Sequence, residues 1–304
     1  MNNMFGRGPR KPGRQDASDG RVPGKPRSNV THGGQPAEET PLKAAEVWCM
    51  KAEALYREGQ QSDAIALFDK ALELNPREVR AWAGKGLSLA TLGRHDEALE
   101  CYNEALVEDP KDAEVWYAMG DVLEKLGRYD EALRHLDKAL ELDPRLENAW
   151  IDEGLARKSL GRFDEAVRCY DRALRLNDRC AEVWYNKGNC LCALGRFEEA
   201  LGCFNEALVL TPDDAGAWNN KGVSLAGLDR HDEAVACYNK ALEIDPSYTV
   251  AWRAKAVSQE RLGRIPDAVE AYRQFITVAS TRDATAVERI EQHIRELVSA
   301  QAAS

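Results

Sequence analysis

Residues 113–146 read AEVWYAMGDVLEKLGRYDEALRHLDKALELDPRL, and this stretch of 34 decides the fold. Trp116, Gly120, Leu123 and Leu126 recur at i, i+4, i+7 and i+10, which is one stripe of a helix with 3.6 residues per turn. Gly127 follows the stripe as a helix-ending residue able to take a positive φ. Asp130 and Glu131 then open a second helix, where acidic side chains favour the positive end of the macrodipole. Pro144 stops it, because the residue before a proline is pushed out of helical geometry. The stretch is two antiparallel helices.

The same pattern returns along the chain. All seven tryptophans (Trp48, Trp82, Trp116, Trp150, Trp184, Trp218 and Trp252) stand 34 residues apart, which chance does not produce. With Trp numbered as repeat position 4, position 8 is Gly in five repeats and Ala in the first and last. Position 20 is Ala throughout, position 24 is bulky (Phe68, Tyr102, Leu136, Tyr170, Phe204, Tyr238, Tyr272), and position 27 is Ala until Phe275. Small residues at 8, 20 and 27 let helix axes approach to the short end of the roughly 8–10 Å packing range. Tryptophan at 4 and the ring at 24 are expected to fill the remaining space as buried wedges between hairpins. No pair can bury its stripe alone, so neighbours stack. The fold class expected is all-α, a solenoid of antiparallel helix pairs, and it overrides the two domains that 304 residues would suggest at about 150 each.

The ends differ. Residues 1–40 carry seven Lys/Arg against four Asp/Glu with almost no periodic apolar residues, and are expected to form a disordered basic tail. Residues 41–282 are assigned to the solenoid. In 283–304 the residues Val287, Ile290, Ile294 and Leu297 make one narrow stripe, an amphipathic helix suited to cap the last repeat. Beyond the tail, 34 basic side chains face 47 acidic ones, and this acidic body argues against the nucleic-acid backbone as partner. No window approaches the roughly 18 apolar residues of a membrane span. The opening MNNMFGRGPRKPGR has charge without an apolar core, so it does not read as a secretory signal. Eight irregularly spaced cysteines do not read as a disulfide framework, and a reduced, cytoplasmic, soluble protein is expected.

Chemistry-bearing groups do not converge. His95 and His231 fall at position 17, where other repeats carry Tyr129, Phe163 and Phe197, and are expected to pack as flat rings. Cys101, Cys169, Cys203 and Cys237 fall at position 23 and read as small buried hydrophobes. No CxxC, phosphate loop or nucleophile elbow occurs. No catalytic residue, metal site or cofactor is expected. Lysine at position 7 (Lys51, Lys85, Lys187, Lys221, Lys255) is expected to lay its stem over the apolar seam with the ammonium in water. The fourth repeat departs most: Arg157 stands at the apolar position 11, and Asp178 and Cys180 replace the proline-containing link.

Trp at 4, Gly at 8, Ala at 20, an aromatic at 24, Ala at 27 and Pro at 32 over residues 45–282 resemble the tetratricopeptide repeat family. The resemblance implies a right-handed superhelix whose first helices line a concave groove, with positions 2, 5, 6, 9, 12 and 13 facing it. Those positions hold Glu46, Glu53, Asp121 and Glu124 in the first half. In the second half they hold Asp152, Tyr185, Asn186, Asn189, Cys192, Asn219, Asn220, Val223 and Val257. Asp152, Asn186 and Asn220 share position 6, similar to a shortened asparagine ladder of peptide-binding members; an amide can both donate to and accept from a peptide backbone. The family's two-carboxylate clamp is matched only by Asn189 and Asn220, with Tyr185, Val250 and Ala254 in its cationic places. The function expected is a non-catalytic scaffold that holds a peptide or helix of a partner protein. The groove contact would comprise Tyr185, Asn186, Asn189, Asn219, Asn220, Asp152 and Asp121. The alternative is a self-associating homo-oligomer with partners on the convex face or the ends.

Overall fold

A computed structural model describes residues 41–279 and 284–302. The basic tail of residues 1–40 lies outside the described residues. Helices occupy positions 1–13 and 17–30 of the repeats, except that the first helix begins earlier, at Pro41. The first helices are α1 (Pro41–Arg57), α3 (Val79–Thr91), α5 (Ala113–Lys125), α7 (Glu147–Ser159), α9 (Ala181–Ala193), α11 (Ala215–Gly227) and α13 (Thr249–Arg261). Their partners are α2 (Gln61–Leu74), α4 (His95–Glu108), α6 (Tyr129–Leu142), α8 (Phe163–Leu176), α10 (Phe197–Leu210), α12 (His231–Ile244) and α14 (Ile265–Val278), followed by α15 (Ala284–Ala302). Among the described residues there is no strand. The chain divides into two compact units, Met1–Val122 and Leu123–Ser304.

Local chemistry sets the hairpin corners. Position 15 has positive φ in every repeat, including Asp229 at 58° where the others have glycine. The turn is a Schellman closure: Arg162 N–H reaches Arg157 C=O at 2.8 Å, and Gly161 N–H reaches Lys158 C=O at 2.9 Å. Four second helices, α4, α6, α10 and α12, follow an arginine whose guanidinium clamps the glutamate three residues on, as Arg128 does Glu131 and Arg196 does Glu199, both with two contacts of 2.7 Å. The arginine holds each of those carboxyls below the ordinary range. They are well exposed, so the clamps orient the turn more than they stabilise it.

The wedges are the rings at position 24, not the tryptophans. Tyr170 and Phe204 are fully buried and Tyr102 and Tyr238 nearly so, whereas all seven tryptophans are half-buried. Each of six indoles donates to the link before its own helix: Trp82 to Pro76 C=O, Trp150 to Pro144 C=O and Trp218 to Pro212 C=O at 2.9 Å. The proline-free fourth link keeps this bond, Trp184 to Asp178 C=O at 2.8 Å. An indole must leave its N–H edge at the loop to make the bond, and that edge carries the exposure. Replacing Trp150 by alanine is therefore expected to lower stability by about 2–3 kcal/mol, under the ~3–5 of a fully buried ring. Trp150→Phe, which loses the bond but keeps most of the ring, should lose about 1 kcal/mol. Urea midpoints of the two variants against the parent check this.

The position-7 lysines also differ from expectation. Their ammonium groups do not simply run into water: those of Lys51, Lys85, Lys187, Lys221 and Lys255 sit 4.7–5.6 Å from the centroid of the tryptophan three residues earlier. Lys85 and Lys187 add ion pairs to position 25 of the preceding repeat, Asp69 at 2.7 Å and Asp171 at 2.6 Å.

In the second unit α7 touches α9, α9 touches α11 and α11 touches α13, while no two of α8, α10, α12 and α14 come within 8 Å between Cα atoms. First helices therefore make the inner, closer-packed layer and second helices the splayed outer one. In the first unit α1 and α3 touch in the same way. At the C-terminal end Ile290, Ile294 and Leu297 of α15 pack on Trp252, Ala256, Ala271 and Tyr272. His293 stands edge-on to Tyr272 and 2.9 Å from Glu260, so a polar contact accompanies the apolar seam.

Candidate interaction face

The inner layer of the second unit carries six of the seven expected contact residues; Asp121, nearly buried, belongs to the first unit. On α9, Tyr185 and Asn189 are half-buried, one turn apart, and both point to Asn220 on α11. The Asn220 amide donates to Asn189 Oδ1 at 2.8 Å and to the Tyr185 hydroxyl at 3.1 Å. Asn219 in turn donates to Asn220 Oδ1 at 2.9 Å. Four polar side chains thus form one hydrogen-bonded chain across two first helices. The Tyr185 ring is steadied from below by Phe204, edge-on at 6.0 Å between centroids.

The ladder residues do not share one environment. Asn186 is 6% exposed and accepts from Lys158 Nζ at 2.7 Å, a partner on the preceding first helix. Asn219 is 2% exposed, with its Oδ1 buried and unpartnered. Asp152 is half-buried on α7. Asn189 and Asn220, with Tyr185, are the amides and hydroxyl that reach the surface of the wall. Lys158, at position 12, did not enter the sequence reading, although the same transfer of groove positions would have found it.

Further along the wall, α11 and α13 flank a cavity of about 510 Å³ floored by Val223, Val250 and Val257, with Arg253 and Arg261 beside them. These arginines fall at positions 5 and 13 of the last repeat and were also missed. Cysteines are all unpaired, and burial pushes the thiols of Cys169 up to about 12 and of Cys203 up to about 11, so neither holds a thiolate near neutral pH. Among the described residues no three of His, Cys, Asp and Glu gather as metal ligands, and no helix is long and apolar enough to cross a membrane.

Tetratricopeptide repeat models match residues 49–113, 86–147, 151–215 and 215–248. The chain belongs to the tetratricopeptide repeat family. Members of this family are protein-interaction scaffolds and are typically non-catalytic. No curated protein matches the sequence. Among solved structures the chain is similar to YrrB, a TPR protein with an unusual peptide-binding site, at 28% identity and a TM-score of 0.59 over 62% of this chain and 97% of YrrB. It is similar to MamA at 25% identity and 0.53, over 56% of this chain and 92% of MamA. Pseudomonas aeruginosa pilF aligns with a TM-score of 0.60 at 20% identity, over 69% and 96%, a likeness of fold alone.

Proposed function

We propose that this tetratricopeptide repeat chain is a non-catalytic adaptor that holds an extended peptide or a helix of another protein on the inner layer of its second unit. Tyr185, Asn189 and Asn220 form the centre of the contact, with Asn186, Asn219 and Asp152 behind them. Asp121 contributes to the corresponding wall of the first unit. The single observation that carries the reading is the Asn219–Asn220–Asn189–Tyr185 hydrogen-bond chain. It fixes amide rotamers before a guest arrives, so a peptide backbone meets donors and acceptors that need no reordering. The peptide-binding role of YrrB supports the same direction. A reducing, cytoplasmic setting agrees with eight unpaired cysteines.

The test is a displayed random-peptide library panned on the full chain, followed by affinity measurement of the selected peptides. Asn189→Ala with Asn220→Ala is expected to weaken them at least tenfold, about 1.4 kcal/mol. An unchanged affinity with an intact fold would remove these residues from the contact.

A further inference from the structure

The cavity between α11 and α13 combines two features that point to one kind of guest. Its floor is apolar and open: Val223, Val250 and Val257 are 38%, 45% and 45% exposed. Three branched aliphatic side chains lying together in water are a patch that binding would cover. Its flank is cationic. Arg253 and Arg261 are exposed, and neither has a carboxylate within ion-pairing distance among the described residues. Six arginines of this unit, Arg128, Arg157, Arg162, Arg196, Arg230 and Arg264, are neutralised by an acidic partner; Arg253 and Arg261 are not, and both line this one apolar cavity. Asp229, also at the cavity, is nearly fully exposed and is 3.7 Å from His231. In a body where acidic side chains outnumber basic ones, two unneutralised guanidinium groups beside an aliphatic floor are a local reversal of charge.

Spacing narrows the guest further. Arg253 and Arg261 are eight residues apart on one helix, about 12 Å along its axis. An extended peptide covers that distance in roughly four residues, and residues two and four apart project to the same side. We infer that this cavity takes a short extended protein segment with carboxylates at i and i+4 and an aliphatic side chain at i+2. The two guanidinium groups take the carboxylates, each able to bind in a bidentate fork, and the valines take the aliphatic group. The inference rests on the reading of the first-helix layer as a peptide site and adds the chemistry of the guest at its C-terminal end.

A fluorescein-labelled dodecapeptide with the core Glu-Ser-Leu-Ser-Glu, titrated with the full chain and followed by fluorescence anisotropy, tests it. Binding is expected to weaken at least tenfold with Arg253→Gln plus Arg261→Gln, and equally when both glutamates become glutamine. It should also weaken as salt rises. Both arginines are exposed, so the double variant should melt with the parent. No binding by the parent, or equal binding of the glutamine peptide, overturns the inference. So does a concentration-dependent dimer that the double variant abolishes, since the guest would then be a second copy. The same titration with Asn189→Ala plus Asn220→Ala separates the two readings. Acidic-peptide binding that persists when library peptides ignore the asparagine pair removes the asparagine site alone; library peptides that need the pair while the acidic peptide fails remove only this inference.

Discussion

Arg157→Ala is expected to lower stability by about 3–5 kcal/mol, the loss typical when one member of a buried ion pair is removed. Arg157 occupies position 11, where five other repeats place leucine, and its side chain is 18% exposed. Its Nε donates to Glu153 Oε1 at 2.8 Å, and its Nη atoms pair with Glu153, Glu165 and Asp137. Glu153, 4% exposed, stands at position 7 in place of the usual lysine, and burial pushes its carboxyl above the ordinary range against the pull of Arg157. Removing the guanidinium leaves that carboxyl to be protonated or left unpaired in the core. The two departures of the fourth repeat are thus one exchange. Glu153→Lys together with Arg157→Leu should restore the arrangement of the second and fifth repeats, with the new ammonium over Trp150 and beside Asp137 as Lys187 lies over Trp184 and beside Asp171. That double variant is expected to be at least as stable as the parent, since apolar replacement of buried ion pairs is often neutral or better. Urea denaturation of the three variants decides: a double variant as weak as Arg157→Ala would contradict the exchange.

Tyr170→Ala should be of similar size, about 3–5 kcal/mol, through loss of ring burial and the cavity left behind. The ring is fully buried, and a Cβ placed on Gly154 would lie 2.6 Å from its Cε1, so the glycine and the ring occupy one space. The same pairing holds Gly222 against Tyr238 at 2.5 Å. Gly154→Val is therefore expected to destabilise by overpacking, about 1–3 kcal/mol or more. Tyr170→Phe points the other way. The Tyr170 hydroxyl is buried without a hydrogen-bond partner, and two repeats already carry phenylalanine at this position, Phe68 and Phe204. Removing the hydroxyl is expected to leave stability unchanged or raise it by about 1 kcal/mol. Thermal midpoints at fixed protein concentration measure all three; a Tyr170→Phe loss as large as the alanine loss would place a missing partner at that oxygen.

Much of this was legible in the residues. The helix pair of each repeat, the positive-φ corner marked by Gly127, and the small residues at 8, 20 and 27 follow from forces acting within one or two turns, repeated every 34 residues. Repetition multiplies a weak local signal until it is unmistakable. What lay beyond reading was how side chains divide themselves between neighbours. Asn186 turns to Lys158, Asn220 to Tyr185 and Asn189, Lys187 to Trp184 and Asp171, and Arg157 to three carboxylates; most of these bonds join different helices. Whether a long polar side chain faces a guest or a neighbouring helix turns on interhelical distances of a few ångströms, which no residue encodes alone. Period and composition establish the stacked hairpins, and the family resemblance implies their inner layer; only the packed helices decide which amides on that layer stay available and which arginines flank its apolar cavity.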